Sequence, residues 1–211
     1  MARSTRWTIA VLVVVAAIIV AMALQLRDTA PSSAPSGPSA GAPQGSGDLT
    51  GLRRRADLPP CPPDGSGPGP QSLRGVTVQC LADGATVDIA RAVAGRPVLL
   101  NLWAYWCQPC AQELPALAEY QRRVGDRITV ITVHQDDDAA AALSRLADWG
   151  VRLPTWQDRQ RHVASALGVP NVMPTSVILR TDGSVARILP RAFASADEIA
   201  TAVDQTMGAP A

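Results

Sequence analysis

Residues 98–110 read VLLNLWAYWCQPC, and this stretch decides the fold of the chain. Its first six residues are almost continuously apolar, as a central strand covered on both faces of a sheet requires. The pair Cys107 and Cys110 follows at once, and a helix is predicted from about Cys107 to Val124, interrupted by Pro115. A strand that runs through a Cys-x-x-Cys turn into a helix indicates a βαβ unit with a cysteine at the helix amino end.

This placement of the cysteines favours redox chemistry. A thiolate is the nucleophile in disulfide exchange, and the free N–H groups of a helix amino end stabilise it. Cys107 is therefore predicted to be partly exposed and to attack, and Cys110 to resolve the mixed disulfide. Trp106 is expected to shield the site and to offer a substrate surface. Half of a zinc site and two buried structural cysteines are the alternatives, but four Cys and two His leave few further ligands. We expect no metal and no cofactor.

The elements around this unit predict an α/β fold with a mixed central sheet flanked by helices. An amino-terminal hairpin turns at Asp83-Gly84, and a carboxyl-terminal antiparallel pair precedes a last helix. The predicted strands are 76–81, 85–87, 98–103, 128–133, 175–179 and 185–189, and the predicted helices are 88–93, 107–124, 139–149, 162–167 and 195–207.

The stretch 101–110, followed by Glu113-Leu114-Pro115, resembles the thioredoxin superfamily. More narrowly, it is similar to the TlpA/ResA group of membrane-tethered extracytoplasmic thioredoxins, over about residues 73–207. The resemblance implies a thioredoxin-like fold and a cis-proline loop facing the cysteines, which Val172-Met173-Pro174-Thr175 matches. It further implies that the backbone of Met173 pairs with the substrate peptide.

Asn101 departs from the pattern of cytoplasmic thioredoxins, which carry a buried Asp at the matching position. In this subgroup Glu113 is the expected substitute, either tuning the pKa values of the cysteines or serving Cys110 as a base. The alternative is a solvated helix residue. Cys61 and Cys80 are expected to form a structural disulfide, and a second redox pair is the alternative.

The amino-terminal third predicts a membrane tether. Residues 1–27 read as a cytoplasmic tip and a transmembrane signal-anchor, residues 28–58 as a flexible Pro/Ser/Gly/Ala-rich linker, and residues 59–211 as the thioredoxin-like domain. We therefore expect a single-pass cell-membrane protein whose carboxyl-terminal domain is extracytoplasmic. A cleaved signal peptide is the alternative, because residues 21–23 form an A-x-A-like site.

The chain carries 19 basic and 18 acidic residues, which argues against a nucleic-acid partner. The expected function is reduction of disulfides in exported proteins, with apocytochrome c as the family-based substrate and a membrane thiol electron donor. A disulfide oxidase and a non-enzymatic binding module are the alternatives. His134 is interpreted as a hydrogen-bonded strand-end residue, and Asp136 to Asp138 as helix caps.

Overall fold

The computed structural model describes residues 15–16, 46–67 and 69–208. The chain divides into two compact units, residues 1–42 and 43–211. Of the first unit only Val15 and Ala16 are described, and both are helical. The predicted signal-anchor and the linker up to residue 45 thus lie outside the described residues, apart from these two. Within the described part, no helix is both long enough and apolar enough to cross a membrane.

The second unit is built around one mixed sheet. The elements, in chain order, are α1 Ser46–Ala56, β1 Thr77–Cys80, β2 Thr86–Asp88, α2 Ile89–Ala92, β3 Val98–Trp103, α3 Gln108–Val124, β4 Thr129–His134, α4 Ala139–Asp148, β5 Thr155–Gln157, α5 His162–Leu167, β6 Thr175–Leu179, β7 Val185–Leu189 and α6 Ala196–Met207.

The strands of the sheet run in the order β2-β1-β5-β4-β3-β6-β7. β3, β4 and β5 are parallel to one another, whereas β1 and β6 join them antiparallel and β2 and β7 extend the two edges antiparallel.

The central strand β3 separates two hydrophobic layers. All six of its residues are buried, and alternate side chains point to opposite faces. Leu99 and Trp103 pack in the layer that contains α3, α4 and α6. Leu100 and Leu102 pack in the layer that contains α2 and α5. The mixed sheet with helices on both faces, expected from the sequence, is therefore confirmed.

The predicted flexible linker is wrong over residues 46–58, because α1 occupies most of that segment. Leu49, Leu52 and Ala56 recur at helical spacing and pack against the α3–α4 layer, and Ala56 is only 1% exposed. The Arg53 side chain donates to the carbonyl of Leu81 at 3.2 Å. The helix forms because it has an apolar stripe to bury, which the Pro- and Gly-rich composition around it concealed.

Two further expectations need correction. The helix α3 is not interrupted at Pro115, which lies inside it. Pro115 removes one backbone hydrogen bond, but the buried Leu114 and Leu117 hold the helix against the sheet on both sides of the proline. The strand β5 was not predicted, and it joins the amino-terminal hairpin to β4, so the hairpin is part of the main sheet.

Candidate active site

The cysteine pair lies where β3 passes into α3. Cys107 is the N-cap residue of α3, and its Sγ accepts a hydrogen bond from the backbone N–H of Cys110 at 3.3 Å. Pro109 lies in the first turn of α3, where backbone N–H groups have no partner within the helix, so its missing N–H costs no hydrogen bond. Cys107 and Cys110 are joined in a disulfide. The backbone thus aims a donor at the Cys107 sulfur, where negative charge would develop on reduction.

The two sulfurs differ in access. Cys107 is 5% exposed, less than the sequence suggested, and Cys110 is fully buried. Cys107 is therefore the less enclosed of the two residues, and it also lines a cavity together with the exposed Trp106. This difference agrees in direction with the predicted roles, in which Cys107 attacks and Cys110 resolves the mixed disulfide.

The loop before β6 lies beside this junction. In the sheet Leu102 pairs with Thr175, so Pro174 is the next residue outward on the side where β3 leads to the cysteines. The Met173–Pro174 peptide bond is cis. The Thr175 hydroxyl donates to the carbonyl of Val172 at 2.7 Å and closes the loop. Val172 is largely exposed, and Met173 is partly so.

Glu113 is buried beneath the cysteines, on α3. Asn101 Nδ2 donates to Glu113 Oε2 at 3.0 Å and to Ser176 Oγ at 3.1 Å. The sheet creates this contact, because Asn101 and Ser176 are direct partners across β3 and β6. Within the described part of the chain, Glu113 Oε1 and Asn101 Oδ1 have no hydrogen-bond partner.

Burial raises the pKa of Glu113 from 4.5 to about 7, and the hydrogen bond from Asn101 opposes that rise. The expectation of a solvated helix residue therefore does not hold for this side chain. Glu113 exchanges its proton close to neutral pH, which is the property a proton carrier needs. Asn101, in contrast, presents two N–H donors and takes no part in titration.

A chain of hydrogen bonds fixes the segment before Cys107, and sequence reasoning missed it. The N–H of Tyr105 donates to His134 Nε2 at 3.3 Å, so His134 carries its proton on Nδ1 and donates it to Gln157 Oε1 at 3.0 Å. Gln157 Nε2 donates to the carbonyl of Asp136. The Asp136 carboxylate accepts the indole N–H of Trp106 at 2.9 Å.

This chain ties the strand ends of β4 and β5 to the cysteine loop. His134 is a hydrogen-bonded strand-end residue, as interpreted from the sequence, and burial lowers its pKa. Asp138 caps α4 through the N–H of Ala141, as expected. Asp136 has a second role, since it also holds Trp106. No spacing in the sequence links these residues, because they come from three separate elements.

Cys61 and Cys80 are bonded to each other, with their Cα atoms 5.8 Å apart. Cys80 ends β1 and pairs with Trp156 of β5. The bond thus joins the segment that follows α1 to the amino-terminal hairpin. The two cysteines are therefore paired as expected from the sequence.

Comparison with known proteins agrees with this geometry. The sequence model of the Redoxin family matches residues 63–199. The thiol-disulfide oxidoreductase ResA of Bacillus subtilis (strain 168) is 28% identical over 96 residues, which cover 45% of this chain and 53% of ResA. This match confirms the resemblance found in residues 101–115. The chain spans 53% and 59% of the length of the first two curated relatives it matches, which is little more than half.

Two solved structures share the fold. The structure of dsbF from Mycobacterium tuberculosis has a TM-score of 0.58 at 22% identity and covers 66% of this chain and 99% of its own. A DsbF homologue from Corynebacterium diphtheriae has a TM-score of 0.55 at 23% identity, covering 68% and 99%. At these identities the likeness concerns the fold alone, and the thioredoxin-like α/β architecture is confirmed.

Proposed function

The chain belongs to the redoxin family, and on that premise we propose that it is a thiol–disulfide oxidoreductase acting through Cys107 and Cys110. One observation carries the proposal. The two cysteines are bonded at the amino end of a long helix, where Cys107 borders a cavity and Cys110 is fully buried. A purely structural disulfide has no need of this asymmetry, whereas disulfide exchange depends on it.

The proposed reaction consumes one disulfide and forms another. In the reduced protein the Cys107 thiolate attacks a substrate disulfide, and the first substrate sulfur leaves as a thiolate that takes up a proton from water. A mixed disulfide now joins Cys107 to the substrate. The Cys110 thiol loses its proton and attacks the Cys107 sulfur, which displaces the second substrate sulfur as a thiolate that is also protonated by water and leaves the Cys107–Cys110 disulfide. Two electrons pass from the protein to the substrate.

Glu113 is the proposed acceptor for the Cys110 proton. The two residues are three positions apart on α3, so they share one face of the helix. Both are fully buried, so solvent has no direct access to either group. A carboxylate whose pKa lies at about 7 can take up a proton in the release step and return it afterwards.

The proposed substrate surface is the exposed rim around Cys107. Trp106 supplies an indole that is 59% exposed, and the loop that ends at the buried Pro174 supplies its backbone and the partly exposed side chain of Met173. The backbone of Met173 is proposed to pair with an extended substrate segment, as in peptide recognition by strand addition. Such pairing selects for unfolded or flexible polypeptides with accessible cysteines.

The proposed setting is the outer face of the cell membrane. Residues 7–26 are almost wholly apolar and follow Arg3 and Arg6, which is typical of an anchor with a cytoplasmic amino terminus. Reduction of exported proteins there, with apocytochrome c as the leading substrate, requires a membrane thiol donor to return two electrons. The Cys61–Cys80 bond supports an exported location, because such bonds persist in oxidising spaces.

The reduction potential of the Cys107–Cys110 pair tests this proposal. The full chain is equilibrated with thiol buffers of defined potential, beside a Cys61→Ala/Cys80→Ala variant that contains the active pair alone. A value near about −270 mV, as for thioredoxin, supports a reductase. A value near about −120 mV, as for a strong periplasmic oxidant, contradicts reduction and indicates a disulfide oxidase.

Two cysteine variants separate the enzyme from a binding module. Cys107→Ser is expected to abolish reduction of a peptide disulfide, and Cys110→Ser to stop the reaction at a mixed disulfide that survives on a non-reducing gel. A binding module would bind the peptide equally well in both variants and would form no covalent adduct with Cys110→Ser.

A further inference from the structure

A cavity of about 200 Å³ opens beside Cys107. Trp106 and Cys107 form part of its lining, and Arg145 in the last turn of α4 and Trp149, which follows that helix, form another part. A water molecule occupies roughly 30 Å³ in the liquid, so the cavity has room for one amino-acid side chain. A substrate that is joined to Cys107 in a mixed disulfide lies next to this cavity. The reaction steps proposed above do not say which part of the substrate fills the cavity.

The aromatic lining is held in place. Trp106 is 59% exposed and gains little from packing, yet Asp136 fixes its indole through a charged hydrogen bond of 2.9 Å. The ring of Trp149 packs on Trp103, with 5.9 Å between the ring centroids. Aromatic groups that are fixed before a ligand arrives lose little conformational entropy when it binds. This lining of fixed aromatic side chains is therefore better suited to bind a ligand than a lining of mobile side chains would be.

Arg145 sets the charge of the cavity. Among the described residues that line it, Arg145 alone carries a charge at neutral pH. Its side chain is exposed, and within the described part of the chain that side chain makes no hydrogen bond and no ion pair. By contrast, Arg55 pairs with Asp148 and Arg152 with Asp57 on nearby surface. A cation without a partner, beside a reacting sulfur, is complementary to an anionic group of the substrate.

We infer that this cavity is a substrate subsite for an acidic side chain that flanks the reacting cysteine of a polypeptide substrate. The inference rests on the proposed function, since the substrate reaches the cavity through its bond to Cys107. The cavity volume fits one side chain, Arg145 supplies the opposite charge, and Trp106 and Trp149 supply apolar surface for its methylene groups. The subsite thus selects among exported polypeptides by the residue next to the cysteine.

Matched peptides test the subsite. Three synthetic peptides carry Glu-Cys-Glu, Gln-Cys-Gln or Lys-Cys-Lys, each with a quencher, and each is disulfide-linked to an uncharged fluorescent thiol. The pre-reduced full chain is mixed with each peptide, and release of the fluorophore gives the second-order rate constant. The Glu peptide is expected to react roughly fivefold faster than the Gln peptide, at the upper end for an exposed ion pair. This ratio is expected to fall as salt is added.

Two arginine variants make the result specific. Arg145→Met is expected to bring the Glu-to-Gln rate ratio towards one. Arg159→Met, which removes the same charge from an exposed residue lining a different cavity, is expected to retain it. A ratio that is the same in the unaltered chain and in Arg145→Met overturns the subsite, even where all peptides are reduced. If the unaltered chain reduces none of the peptides, the oxidoreductase function itself fails, and the subsite falls with it.

Discussion

Replacement of Glu113 by Gln should change how the stability of the protein depends on pH. Glu113 is fully buried, and burial raises its pKa from 4.5 to about 7 in the folded protein. In the unfolded chain this carboxyl titrates near its ordinary value, so between these two pH values the folded state binds more protons than the unfolded state. The free energy of unfolding must therefore fall as pH rises through this interval.

The size of the effect follows from the two pKa values. One pKa unit corresponds to 1.36 kcal/mol, so ionising Glu113 in the folded state costs about 3 kcal/mol. This stability is fully present below pH 4.5 and is lost by the time the pH has passed about 7. Glu113→Gln retains an oxygen to accept the bond from Asn101 but cannot ionise. As the pH rises from 4.5 to 8, the free energy of unfolding of the variant should therefore increase by about 3 kcal/mol relative to that of the unaltered protein.

Guanidinium unfolding of the oxidised full chain, followed by tryptophan fluorescence at pH 4.5, 6 and 8, measures this difference. Comparing the variant with the unaltered chain at each pH cancels the contribution of other titrating groups, including His134. Glu119→Gln is the matched control, because Glu119 lies on the same helix but is partly exposed and paired with Arg123. A stability difference for Glu113→Gln that is equal at pH 4.5 and pH 8 would refute the reasoning.

Three other changes have defined outcomes. Asn101→Asp places a second carboxyl within hydrogen-bond distance of Glu113, which should raise the pKa of the pair and move the pH–rate profile of peptide-disulfide reduction to higher pH; an unmoved profile would contradict the contact. Loss of the Cys61–Cys80 disulfide, whose cysteines are 19 positions apart, should lower the free energy of unfolding in urea by about 3 kcal/mol in Cys61→Ala/Cys80→Ala. If that bond is structural, the active-site potential stays constant. Trp106→Phe retains a ring but loses the N–H that donates to the carboxylate, so it should raise KM for the peptide and change unfolding by less than about 1 kcal/mol.

The features that the sequence predicted well are local ones. The strand β3, the cysteine turn and the start of α3 are contiguous, so hydrophobic run, turn and helix signal fall within one stretch. The last helix is similar: Ser195 accepts from the N–H of Glu198, as the capping box predicts. In a capping box the Glu198 carboxylate would accept in return from the backbone N–H of Ser195. Here it accepts from the backbone N–H of Ala194, one residue earlier. Local hydrogen bonds of this kind depend on spacing along the chain, which a single sequence displays.

The features that were missed depend on distant partners. The strand β5 has only three residues and is defined by pairing with β1 on one side and β4 on the other. The helix α1 is stabilised by burial of Leu49, Leu52 and Ala56 against the rest of the unit, and its own composition resembles a linker. The bonds from Tyr105 and Trp106 to the end of β4 are equally long-range. The pairing of β5 and the bonds of Tyr105 and Trp106 have no signature in the spacing of residues, and the apolar spacing in α1 is too short to predict a helix without its distant partners.

The two sulfurs of the active pair lie in environments that suit different steps. Cys107 lines a cavity together with the exposed indole of Trp106 and the guanidinium of Arg145, the two groups proposed to contact the substrate. Around Cys110 the structure places a buried carboxyl that titrates at about pH 7. In the proposed cycle, shape and charge at the surface therefore govern capture of the substrate. Release depends on a proton that Glu113 holds inside the protein, three residues after Cys110 on α3.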